Sequence, residues 1–136
     1  MSHFTAAEIA YLQSQHLARL ATIGADGQPH VVPVGFHYNA DADTIDIGGR
    51  GFARSKKLRD ARRNPRVAVV VDDLAPGAQW TVRGVEVRGA AEVIESGGEM
   101  LRPGFDPPFV RVTPRRIISW GLETEPMRPN ARSIPS

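Results

Sequence analysis

The pattern of apolar and polar residues changes character near His16. Ahead of that point, Thr5 with Glu8 three residues on has the form of a capping box. It stands before Ile9, Tyr11 and Leu12, which predicts a short first helix. Beyond it, short runs rich in Val, Ile and Leu are divided by Asp26-Gly27 and by the stretch Asn39 to Asp43, both turn chemistries. These runs predict strands near 16–23, 29–38 and 44–49, joined as an antiparallel meander. A charged helix is predicted from about Arg54 to Arg63, stopped by Asn64-Pro65. "RVAVVVDD" then reads as a strand covered on both faces, and "WTVRGVEVRGAAEVIE" alternates at period two with bends expected at Gly84 and Gly89. Residues 96–114 are too rich in Pro and Gly for one regular element, and "RRIISWGL" closes the pattern as the last strand.

Six strands linked mostly by hairpins, with one helix crossing over, predict a mainly β fold: a small six-stranded antiparallel barrel with flanking helices. The expected organisation is a single domain over 1–124 and an extended or mobile tail over 125–136. A dinucleotide fold would need alternating strand and helix units, and these are missing. "GRGFAR" at 49–54 starts like the dinucleotide fingerprint but carries arginine where close helix packing needs glycine.

Composition adds limits. There is no cysteine, which removes disulfides and thiolate metal sites and fits a reducing cytoplasm. No apolar run approaches membrane-spanning length. The four histidines are scattered, and His30 and His37 lie seven apart on one strand, on opposite faces, so no metal site is expected. No nucleophile triad is visible either, and no catalytic side chain can be named from the sequence; His30 alone merits a test as proton donor.

Net charge is only +2, yet eight of the seventeen lysines and arginines lie between Arg50 and Arg66, against one acid, Asp60. On a helical wheel Leu58 and Ala61 mark the apolar face, with Arg54 and Lys57 close to it, while Lys56, Arg59 and Arg63 point away. Cations at a helix start oppose the local dipole unless an anion sits among them. Gly48, Gly49 and Gly51 just before would let the backbone approach such an anion. A phosphate-sized ligand accounts for both features; a glycine-tolerant turn with Lys57 paired to an acid is the plainer alternative. Nucleic acid is not expected, because only Phe52 interleaves with the charges.

The ordered set A-T-x-x-x-D-G-x-P-H-V-V-P-V, K-x-x-x-x-x-R-N-P-R-V-A-V-V-V-D, a Trp, and V-R-G-x-x-E resembles the pyridoxamine 5'-phosphate oxidase-like flavin and deazaflavin proteins over about residues 6–122. "RGVEVRGAAEV" and "PRRIISWGLE" resemble the branch of reductases that use coenzyme F420, an 8-hydroxy-5-deazaflavin. The resemblance implies a split β-barrel of the FMN-binding type, and a homodimer with its cofactor between the subunits. It implies that Lys57 binds the cofactor phosphate, with Arg54, Ser55 and Lys56 nearby and Gly49, Arg50 and Gly51 bordering the phosphate arm. His30, Val32, Pro33 and Val34 would belong to the strand whose backbone lines the ring, and Trp80 would reach the cofactor from the second subunit. The implied activity is hydride transfer between the coenzyme and an unsaturated or quinone-like small molecule. An FMN oxidoreductase and a non-catalytic carrier are the alternatives. Four cations, Arg50, Arg54, Lys56 and Lys57, exceed what the single phosphate of FMN needs and favour the polyanionic tail of F420. Trp80 and Trp120 are expected to fill core or interface space, and Phe105 and Phe109 to act as a lid or as loop anchors.

Overall fold

The computed structural model describes residues 1–77 and 79–135. Among these, the elements run α1 (Ala6–Ser14), β1 (Leu17–Ile23), β2 (Pro29–Gly35), β3 (His37–Asn39), β4 (Thr44–Ile47), α2 (Lys56–Arg63), β5 (Arg66–Leu74), β6 (Val82–Ile94), β7 (Phe109–Trp120) and β8 (Asn130–Ser133). The first helix starts as its sequence predicts. The Thr5 hydroxyl accepts from the Glu8 amide at 3.1 Å, and the Glu8 carboxylate accepts from the Thr5 amide at 2.9 Å.

The strands form one sheet in the order β2-β1-β5-β6-β7-β4-β3, with β8 added on β7, and the ladders are antiparallel. The single strand expected over 29–38 is broken at Phe36. Gly35 is the last partner of β1, and His37 is the first partner of β4. One piece of chain thus supplies both ends of the sheet, which curls into a split barrel. That break and β8 account for eight strands where six were expected.

Registration lines up the core. Leu20, Val69, Val87 and Ile117 are successive ladder partners across four strands, and all four are buried. Burying each such side chain contributes about 1.5–3 kcal/mol. The outward residues of the same strands form a second, more exposed face.

Between Arg88 and Gly89 the β6–β7 register shifts, which leaves Arg115 as the extra residue of a bulge. Gly89 is required there, since a Cβ would sit 2.3 Å from the Thr113 carbonyl oxygen. Pro114 is tolerated inside β7 because it falls at this irregularity. Strand β7 begins at Phe109, well before the expected 115, because Phe109, Val110 and Val112 bury themselves at alternate or adjacent core positions. Asn130–Ser133, in the tail expected to be extended or mobile, lies along β7 as strand β8.

The helices cover opposite ends of the barrel. Tyr11 of α1 donates to Asp73, which lies opposite Arg83 near the start of β6. Helix α2 instead leads through Pro65 to a backbone bond with Ala91, near the end of that strand. No helix among the described residues is long and apolar enough to cross a membrane.

Candidate functional site

Four residues separate the end of β4 from the turn that starts the basic segment. Gly48 is bare because the Phe105 ring lies against it, 3.1 Å from where a Cβ would be. Gly51 adopts φ +64° with nothing within 4 Å of its missing Cβ, so the backbone there is open. A single 3-10 turn, Phe52–Arg54, follows, anchored by the buried Phe52 ring.

Helix α2 starts two residues later than its sequence suggests, because Ser55 takes the cap. Its hydroxyl accepts from the Leu58 amide at 3.3 Å and donates to the Phe52 carbonyl at 2.7 Å. The amides of Lys56 and Lys57, in the first helical turn, have no intrahelical acceptor. Arg54 and Lys57 lie beside them in sequence, while the Arg50 guanidinium rests against Gly104 of the long loop, 3.1 Å from where a Cβ would be. Among the described residues none of the three pairs with a carboxylate; Lys57 rests over the Phe52 ring, 5.4 Å from its centroid. One acid does come close. Asp106 accepts from the Ala53 amide at 3.0 Å, and its own amide donates to Gly49, so the 96–108 loop clamps the glycine turn.

Lys56 departs from its expected role. The helical wheel points it away from the core and the resemblance puts it near the phosphate, but its ammonium donates to Asp60 at 2.9 and 3.1 Å. Asp60, 1% exposed, also accepts from Thr22 at 3.0 Å and lies 3.5 Å from Arg63. Burial alone pushes the Asp60 carboxyl up, but the hydrogen bonds from Lys56 and Thr22 outweigh it and hold the group below its ordinary value. Lys56 therefore has a buried carboxylate partner within the chain. The signal for it was the i, i+4 spacing from Lys56 to Asp60, the single acid of the basic run.

On β2, His30, Val32 and Val34 turn toward the barrel interior, opposite Thr22, Leu20 and Ala18. Only their backbone can face a ligand on the outer side. There the side chains are Pro29, Val31 and Pro33, and Val31, which the sequence did not single out, is 65% exposed. The Nδ1 of His30 is buried and has no hydrogen-bond partner. The end of β2 and the glycine turn meet at a small cavity of about 100 Å³ between Gly35, His37, Gly48 and Phe105. Phe105 and the buried Phe109 are thus anchors of the long loop.

Trp80 is not brought to this cluster within one chain, and it is not core: it is 81% exposed. It precedes β6, and α2 packs near the other end of that strand, thirteen residues of about 3.3 Å each away. Trp120, half-buried, lines a hollow with it. No group of three or more metal-ligating side chains occurs among the described residues.

The chain is similar to known proteins. The family model described as pyridoxamine 5'-phosphate oxidase matches residues 4–133. Over 120 residues the chain is 45% identical to the 5a,11a-dehydrotetracycline/5a,11a-dehydrooxytetracycline reductase of Streptomyces rimosus, covering 88% of this chain and 84% of that one. It is 37% identical over 75 residues to the F420H(2)-dependent biliverdin reductase of Mycobacterium tuberculosis, covering 53% of this chain and 49% of that one. A solved structure of a conserved hypothetical protein from Mycobacterium tuberculosis superposes with a TM-score of 0.68 at 28% identity, covering 87% of this chain and 85% of the other.

Proposed function

Because this chain belongs to the pyridoxamine 5'-phosphate oxidase family, we infer that it is a reductase dependent on coenzyme F420, acting on an unsaturated small molecule. The observation that carries the reading is the cationic turn. Arg50, Arg54 and Lys57 have no carboxylate partner among the described residues and share one short segment with open helix amides, a combination that fits a polyanionic arm. Its reductase relatives, one of them named for F420H(2), point the same way.

When bound, the reduced coenzyme supplies the hydride. The chain supplies position. Lys57, Arg54, Arg50 and the Ser55-capped amides hold the phosphodiester, with Gly49 and Gly51 bordering it. The outer side of β2, from His30 to Val34 along its backbone with Val31 and Pro33 as side chains, gives the ring a flat wall. His30 stands behind that wall as the group to test for proton donation.

The second subunit completes the groove. Leu17 and Val31 lie exposed on the outer face of neighbouring strands β1 and β2, which supports an interface there. In this homodimer Trp80 reaches the partner's cofactor. The absence of cysteine fits work in the cytoplasm.

The test is a binding titration with F420 and FMN. Lys57→Ala is expected to lower F420 affinity about tenfold or more, the value of one charge-assisted hydrogen bond. Lys56→Ala should instead lower stability and leave affinity nearly unchanged. A chain that ignores F420 but retains FMN would overturn the assignment and identify a flavin enzyme.

A further inference from the structure

We propose that the hollow at the β6–β7 bulge is a binding site for the acid group of the substrate, so that this enzyme takes flat apolar molecules bearing a carboxylate or similar anion. The hollow has a volume of about 520 Å³, within the range of small-molecule sites. Much of its lining is apolar, from Ala21, Ile23, Pro29, Ala68 and Ala90, and three arginines line it as well, Arg66, Arg88 and Arg115.

The fold puts these arginines together. Arg66 opens β5 and pairs with Ala90, while Arg88 lies opposite Ala68 on the same outer face. Arg115 is the residue released by the bulge, and its carbonyl is tied to the Ile134 amide at 2.7 Å. Arg88 is partly answered by Glu86, at 2.9 Å. Arg66 and Arg115 have no carboxylate partner among the described residues. Arg116 adds a further positive charge directly opposite Arg88, and like charges in that position repel.

Arginines beside an apolar lining match one kind of ligand. A bare phosphate would leave the apolar lining wet, and a neutral apolar molecule would leave the guanidiniums unanswered; an acid on a flat hydrocarbon body satisfies both. Position supports a link with the reaction. Ala21 of the lining is the ladder partner of Val31, so the hollow continues the outer face of β2. Naming the ligand a substrate rests on the reductase reading; the site itself does not.

Two probes share a ring system and differ in charge: 8-anilinonaphthalene-1-sulfonate and neutral N-phenyl-1-naphthylamine. Equilibrium dialysis against the full chain, with and without saturating F420, is expected to show one sulfonate per chain. It should bind about tenfold tighter than the neutral probe. Arg66→Gln with Arg115→Gln should remove that difference and leave the neutral probe unchanged, and Arg128→Gln in the tail should change neither. Equal affinities for the two probes, an unaffected double variant, or displacement of the sulfonate by F420 would each overturn the site. Failure to bind F420 at all overturns the reductase reading, and the dialysis still decides the hollow.

Discussion

Glu8 is fully buried, and its carboxylate accepts from Ser119 at 2.6 Å, from Arg132 Nη1 at 3.0 Å and from the Thr5 amide at 2.9 Å. Burial pushes this carboxyl up, but the hydrogen bonds from Arg132, Ser119 and Thr5 overcome it and hold the group below its ordinary value. Asp60 behaves alike with Lys56 and Thr22. In both, the folded pKa lies below the unfolded one. Their stabilisation is therefore complete above the unfolded value, about 4, and is lost as pH falls through the folded value. The midpoint of urea unfolding should drop from pH 5 to pH 3. Glu8→Gln should cost about 3 kcal/mol at pH 7, by leaving Arg132 without its partner, and should flatten that acid slope. A wild-type midpoint that stays level down to pH 3 would contradict the assignment.

Among the elements, the β6–β7 pair depends closely on one residue. Gly89→Ala would press a methyl group into the Thr113 carbonyl at 2.3 Å, and is expected to lower stability by about 2 kcal/mol or more, read as a fall in melting temperature. The bend at Gly89 was legible because glycine interrupts an otherwise regular alternation. The break at Phe36 was not, since apolar residues run through it and partner exchange leaves no mark in hydropathy. Strand β8 was hidden for another reason: besides its ladder with β7 it carries Arg132 to Glu8, a contact between residues far apart in sequence. In the candidate site the cationic turn could be read from charge and glycine spacing. The different fates of Lys56 and Lys57 show only in the i, i+4 spacing from Lys56 to Asp60, because α2 packs its polar side on the β1–β2 hairpin, where Lys56 lies 3.2 Å from the Cβ position of Gly24. Hydropathy marks only the apolar side, of Leu58 and Ala61.

For the whole molecule, the proposed dimer rests on the outer sheet face. If two copies join through β1 and β2, sedimentation should give twice the mass of one chain, and Val31→Lys should shift it to a monomer without unfolding it. A wild-type monomer at micromolar concentration would remove the shared groove and the role given to Trp80. The clasp between Glu8 and Arg132 has a consequence of its own during synthesis. Helix α1 emerges from the ribosome long before residue 132, and Arg132 also donates to the His3 carbonyl at 2.8 Å. Until that guanidinium is available, the Glu8 carboxylate has no counter-charge and resists leaving water. Firm docking of the first helix is therefore expected only once a residue 124 positions further along the chain is in place.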